Sequence, residues 1–496
     1  VRRARERVDA ERRGQSYCHD LRMHLFDRLT ASSSRAVGGR STGSLALRFV
    51  GDLTAVRNWV SLGLARLAVG VTMIMVTIAA LAVIDPLLAV AAGAATALGA
   101  AGTFTQGPGL READREARRR RARLAGRFTE IISSVAVVQA NTAVGRERRR
   151  LSRQSDRLRS AMVDLSRRLG SLQSIAESSA SSATACLLLV ALATGLAAPE
   201  VAAAMTIVGL LVPQLRGLVR VQEYRQKQRV AAAAIDRFVD RPTLLTEPPR
   251  PNGLPAGPGH LVLRGVSIGV VEDVSVELPA GHTAAIVGPN GSGKSTLIAA
   301  IARLVDAEGG SIELDGGDLA AVALADARTA LGISAPDLPL MRGPLRRNAT
   351  YRHPDATPAE LDRIVQLCDL RSLLESLPEG FDHRIDEGGT NLSSGQRQRL
   401  MLARATLGRP RLLLLDEADA NLDAATATVV DRVIAAHLGT CIIVTHRAER
   451  LCTADHVWHL EGGRLVEHGR APAVLHSGGH PSALFSPPGT RTPPRR

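Results

Sequence analysis

Charged side chains recur every few residues along most of the chain, but two long stretches break that rhythm. Asp85 is the only charged residue from 67 to 110, and Glu200 the only one from 178 to 215. A helix needs about 20 apolar residues to cross a hydrocarbon core, so each stretch is long enough for two crossings. Both therefore read as helical hairpins. The first crosses over residues 59–84, turns at Asp85-Pro86 and returns over about 87–106. The second crosses over about 172–197, turns at Ala198-Pro199-Glu200 and returns over about 201–219. Ala and Gly dominate the first hairpin, which suits close helix packing in a bilayer. Buried helices of a large soluble protein are the alternative, disfavoured because windows of around 19 residues this free of charge are rare outside membranes.

Around the hairpins the pattern is polar with helical spacing. Residues 1–58 read as amphipathic helix interrupted at 32–34 and 38–44, and residues 111–168 as a long excursion with the apolar run 131–138 embedded in it. Residues 241–259 are a Pro/Gly-rich linker that sustains neither helix nor sheet. Beyond it, short apolar runs at 283–287, 412–415 and 441–444 alternate with helical stretches at 295–304, 395–407 and 424–437, the rhythm of a largely parallel α/β sheet. The expected organisation is an all-α transmembrane domain over 1–240, the linker, an α/β P-loop NTPase domain over 260–480 and a disordered tail over 481–496.

A net charge of +14 and a pI near 10.8 would ordinarily suggest a nucleic-acid partner. Its placement argues otherwise. Arginine supplies nearly all of it, Lys227 and Lys294 being the only lysines, and the densest runs (111–127, 146–153, 216–229) flank the hairpins. Basic residues beside membrane segments stay on the cytoplasmic side, so lipid is the expected partner and nucleic acid is not. Both turns carry an acid, which puts the tips outside and both termini and the α/β domain in the cytoplasm. Five scattered cysteines form neither a disulfide framework nor a zinc site. The first 48 residues lack the apolar core of a secretory signal, and Val1 in place of an initiator Met fits a fragment or an upstream start.

The chemistry lies in the second half. An apolar strand over 284–287 leads into Gly288-Pro289-Asn290-Gly291-Ser292-Gly293-Lys294-Ser295, and Thr296 continues into a helix. Glycines let backbone N–H groups face phosphate oxygens, and the helix N-terminus adds a positive dipole end. Lys294 reaches the β and γ phosphates of ATP, and the Ser295 hydroxyl can ligate Mg²⁺. A second apolar strand over 412–415 ends in Asp416-Glu417: Asp416 holds the metal through water, and Glu417 polarises the attacking water as general base. An acidic pair after a strand is commonplace as a helix cap; the phosphate loop upstream gives it this meaning. Between them, Asn391-Leu392-Ser393-Ser394-Gly395-Gln396-Arg397-Gln398-Arg399 opens a helix and by itself reads as an N-cap.

These motifs, in this order, resemble the ABC ATPases, in which L-S-x-G-Q is the signature. The resemblance implies that Ser393, Ser394, Gly395 and Gln396 close over the γ-phosphate of ATP held by the opposite subunit. It extends through residues 418–423, similar to the D-loop with Asp423 at its end, and Val444-Thr445-His446-Arg447, similar to the loop whose switch histidine, here His446, contacts the γ-phosphate. The membrane half resembles the exporter type with a fused six-helix domain. Residues 43–60 look like its first cytoplasmic loop leading into the third helix, 130–147 like the second coupling region and 213–240 like the exit to the linker. With four crossings, the first two family helices are expected to be missing.

Two departures stand out. Pro336 occupies the Q-loop glutamine position, with Asp337 beside it, and the segment 261–276 is shortened, with no aromatic between His260 and Gly288 to stack on adenine. The resulting expectation is ATP-driven export of an unidentified substrate by a half-transporter, as a homodimer or as a heterodimer with another ABC half-transporter. The alternatives are a degenerate or truncated subunit working in a heterodimer, and a non-transporting ABC ATPase.

Overall fold

The computed structural model describes residues 2–31, 51–240, 245, 247–419, 424–445, 447–471 and 473. The chain divides into two compact units, Val1–Thr243 and Leu244–Arg496.

The regular structure described in the first unit is helical. α1 spans Arg2–Ala31, α2 Leu53–Ile84, α3 Pro86–Ser133, α4 Val135–Ala140, α5 Val144–Thr194 and α6 Ala198–Val239. Four of these, α2, α3, α5 and α6, are long and apolar enough to cross a membrane. The turns form where local chemistry stops a helix. Asp85 is extended, and its carboxylate accepts from the Leu87 amide at 2.7 Å, while Pro86 occupies a helix start where a missing N–H costs nothing. Gly195 ends α5 in the left-handed region (φ 68°), and Glu200 accepts from the Ala197 amide at 3.0 Å to cap α6.

The hydropathy boundaries are not helix boundaries. Residue 172 begins the apolar part of α5, yet the helix runs unbroken from Val144 for 51 residues, because the polar residues before it have the same backbone preference. α2, α3, α5 and α6 share a core around Leu81, Leu88, Leu187, Ala204 and Leu211. Close approach of α3 and α5 depends on small residues: a Cβ added at Gly99 would lie 2.1 Å from Ser179 Oγ. Outward positions stay apolar, with Val83, Leu98 and Leu192 exposed, the surface that a lipid solvent requires.

The second unit is built on two sheets. Strands β1 (Leu261–Ile268), β2 (Val271–Leu278), β4 (Gly309–Leu314) and β5 (Gly317–Asp318) form one, in the order β2-β1-β4-β5. The other has six strands ordered β12-β11-β3-β10-β9-β6. Its members are β3 (Thr283–Val287), β6 (Leu331–Ser334), β9 (Leu412–Asp416), β10 (Thr440–Val444), β11 (His456–Glu461) and β12 (Arg464–Arg470); a short ladder joins β7 (Gly343–Pro344) to β8 (Arg384–Ile385). The six-stranded sheet is parallel except for β12. The antiparallel four-stranded sheet was not foreseen. β2 alternates buried and exposed positions, a weaker signal than the continuous apolar runs of the parallel strands. Within 261–276, β1 and β2 are joined by a tight turn, with Ile268 paired to Val271.

β9 and β10 are buried on both faces. Leu413, Leu415 and Ile443 face a helical core containing Leu400 and Val430; Leu412, Leu414 and Ile442 face the four-stranded sheet and the helix Lys294–Ile301, here α7. Three further helices matter below: α8 (Pro358–Leu367), α9 (Ser394–Thr406) and α10 (Ala424–Ala436). Burial pushes the Cys368 and Cys441 thiols up to about 12, whereas Cys452 is exposed. Maleimide at neutral pH is therefore expected to modify Cys452 in the native chain and to spare Cys368 and Cys441 until denaturant is added, as read by peptide mass. Native labelling of Cys441 would contradict this packing.

Candidate functional site

β3 lies inside the six-stranded sheet, between β11 and β10, and delivers the phosphate loop at its C-terminal end. The loop needs glycine at two points. Gly288 (φ 149°) has no room for a side chain, since a Cβ would come within 2.0 Å of the Leu460 carbonyl oxygen, and at Gly293 (φ 103°) it would come within 2.6 Å of Val271 Cγ2. Lys294 then opens α7. It is buried, and its Nζ donates to the carbonyls of Gly288 at 2.8 Å and Pro289 at 2.9 Å. Burial lowers its pKa, with Glu417 and then Asp416 opposing that effect. Asn290 and Gly291 are exposed at the tip of the loop, and Thr296 is buried behind it.

β10 separates β3 from β9 in the sheet, and the parallel register brings the end of β9 to the same edge as the loop. Asp416 is buried there, with the Ser295 hydroxyl near enough to stabilise its carboxylate. Burial raises its pKa; Ser295 works against this, and the nearby Glu417 and Asp337 carboxylates add to it. Glu417 follows in a left-handed conformation (φ 48°), its N–H donating to the Val444 carbonyl at 3.2 Å. A non-glycine residue held there costs about 1–3 kcal/mol, so the surrounding structure imposes it. Among the described residues, two buried atoms at this edge, Asp416 Oδ1 and Ser292 Oγ, have no hydrogen-bond partner. A carboxylate oxygen beside a serine hydroxyl suits a hard divalent cation such as Mg²⁺, and a hydroxyl within a glycine loop suits a phosphate oxygen.

The signature residues keep their polar contacts local. Ser393 Oγ accepts from the Gln396 amide at 3.2 Å, and Gln396 Oε1 accepts from the Ser393 amide at 2.9 Å, a reciprocal cap for α9. Ser394 starts the helix, and Gly395 lets it lie against α10, where a Cβ would sit 2.7 Å from Thr426 Oγ1. No hydrogen bond among the described residues joins 393–396 to 288–296. Asp423 and His446 lie outside the described residues. Pro336 is exposed just beyond β6, and Asp337 next to it is close enough to act on Asp416.

One feature of the site escaped the sequence. Asp419, just past the Asp416-Glu417 pair, is buried; it accepts from Thr445 Oγ1 at 2.7 Å and pairs with Arg450 Nε at 3.1 Å. Arg450 also reaches Asp431 at 3.1 Å and the Ala427 carbonyl at 3.0 Å. The start of the segment after β9 is thereby tied to the residues that follow β10.

A glycine-rich phosphate loop beside a strand ending in paired acids defines a P-loop nucleotide-binding domain, here in one chain with a helical membrane domain. Residues 271–420 match the family model described as ABC transporter, and residues 12–207 match that of the ABC transporter transmembrane region. The chain belongs to the ABC transporter family, as an exporter-type half-transporter carrying both domains, and is a multi-pass membrane protein. The structure of a bacterial Atm1-family ABC exporter with ATP bound aligns at TM-score 0.89 and 25% identity, covering 96% of this chain and 85% of that one. A multidrug efflux ATP-binding/permease protein of Mycobacterium bovis is 35% identical over 56% of this chain and 24% of its own length. An ATP-dependent lipid A-core flippase of Chromobacterium violaceum is 32% identical over 56% and 49%. An uncharacterised ABC transporter ATP-binding protein of Bacillus subtilis is 25% identical over 94% and 79%. The match thus spans about half or less of the first two relatives' own length.

Proposed function

We propose that the chain is one half of an ATP-driven exporter that binds and hydrolyses ATP at a dimer interface. The observation that carries this reading is the convergence of Lys294, Ser295, Asp416 and Glu417 at one sheet edge. ATP would be sandwiched between residues 288–296 of one chain and Ser393, Ser394, Gly395 and Gln396 of a second, with Asp423 and His446 completing the pocket. Lys294 holds the β and γ phosphates, leaving the Gly288 and Pro289 carbonyls that it now contacts. Mg²⁺ held by Ser295 and Asp416 would neutralise charge on the phosphate oxygens. Glu417 orients the attacking water and takes its proton.

Both termini and the ATPase domain are assigned to the cytoplasm, because the arginine runs flank the hairpins on one side and the acids Asp85 and Glu200 mark the other. The names of the relatives suggest drug-like or lipid cargo. A cavity of about 310 Å³ in the helical unit suits it, walled by Trp59, Leu67, Leu215 and Leu218 with Arg225 at its margin. Reconstituted in lipid vesicles, the chain is expected to hydrolyse ATP only with a divalent cation and to move a fluorescent amphiphile in an ATP-dependent direction. Hydrolysis without vectorial movement of any amphiphile tried would favour the non-transporting alternative.

Pro336 supports a second reading, in which this chain works beside a different half-transporter that carries the glutamine. Strong, substrate-stimulated hydrolysis by the purified chain alone would exclude it.

A further inference from the structure

The end of the ATPase sheet opposite the phosphate loop holds a cleft of about 510 Å³ that the nucleotide site does not use. It opens where β9 and β10 begin, one strand length from Asp416, roughly 16 Å for five residues. Arg363 on α8, Arg409 and Arg411 before β9, and His437 before β10 line it, and no carboxylate does among the described residues.

The arginines differ in their commitments. Arg411 pairs with Asp315 at 3.2 Å. Arg363 and Arg409 make no ion pair or side-chain hydrogen bond among the described residues, and Arg363 Nε is buried without a partner. Partial burial lowers the Arg363 pKa and neighbouring Arg409 lowers it further, with Cys368 and Glu360 opposing them. Arg409 also sits in the left-handed region (φ 48°), where asparagine or glycine is at ease and arginine is not. Two like charges thus converge at a strained position. Arg363 is half-buried and Arg409 exposed, so an anion can reach both from solvent, and the planar guanidinium forks match the oxygens of phosphate. Leu367, Val433 and the exposed Leu438 form an apolar wall beside them.

We propose that this cleft binds a small phosphate ester, its phosphate held by Arg363 and Arg409 and its apolar part lying against Leu367, Val433 and Leu438. The site is separate from the nucleotide pocket and joined to it by β9 and β10, so its occupancy braces the strands that carry Asp416 and precede Thr445. The test uses the full chain in detergent with the nucleotide site saturated by Mg²⁺ and a non-hydrolysable ATP analogue. Phenyl phosphate and inorganic phosphate are then titrated calorimetrically at constant ionic strength. Phenyl phosphate is expected to bind the parent at least about tenfold more tightly than the R363Q/R409Q variant, and more tightly than inorganic phosphate does. Equal affinity in parent and variant, or no binding to either, overturns the proposal; equal affinity for the two anions overturns its assignment to an ester. Arg409→Asn alone suits the backbone and relieves repulsion, so it should raise the melting temperature while weakening phenyl phosphate binding. A fall in melting temperature would make Arg409 a structural residue and overturn its role.

Discussion

Glu417→Gln is expected to slow ATP hydrolysis by about 10²–10⁴-fold while ATP binding stays within a few fold of the parent. Glutamine has nearly the same shape, and the backbone bond from residue 417 to the Val444 carbonyl does not depend on the side chain, so the left-handed geometry should persist. The substitution removes the capacity to accept a proton while leaving the side chain's size unchanged. It also removes a negative charge beside Asp416, which eases ionisation of Asp416 but weakens the local attraction for a cation, so the Mg²⁺ dependence is titrated in both proteins. Single-turnover hydrolysis and nucleotide binding on the same preparation separate these effects. Hydrolysis within threefold of the parent would remove Glu417 as the base and move attention to Asp337, the other carboxylate that acts on Asp416.

What could be read from the sequence was what depends on neighbours in the chain. The loop 288–295, the pair Asp416-Glu417 and the two apolar hairpins are contiguous patterns, and the structure places the loop and the acids at one edge because parallel strands share a direction. Long-range pairing left no such trace. Asp419 read as part of a D-loop, yet its partner Arg450 lies 31 positions on, in a helix whose sequence carries no mark of the pairing. The antiparallel sheet, the unbroken helix Val144–Thr194 and the cleft between Arg363 and Arg409 likewise arise from tertiary packing. Even the signature glycine has a local meaning hidden from sequence, since Gly395 admits Thr426 of α10.

Arg450→Ala is expected to destabilise the ATPase unit by about 3–5 kcal/mol, because it strands a carboxylate that is almost fully buried. Asp419 would keep the Thr445 hydroxyl but lose its charged partner, and the Ala427 carbonyl would lose a donor. For a domain of this size the loss should appear as a fall in melting temperature on the order of 10 °C. The partner carboxylate decides the interpretation. Removing both charges, as in Asp419→Ala with Arg450→Met, should cost less than Arg450→Ala alone, since the penalty lies in the unpaired charge more than in the lost attraction. Additive costs would instead show that Arg450 acts through its packing and its link to Asp431, which is largely exposed. The network ties Asp419, two residues past Glu417, to Thr445 at the end of β10. Arg450→Ala should therefore also weaken ATP binding at temperatures where the chain is still folded, an effect that a remote packing defect would not produce.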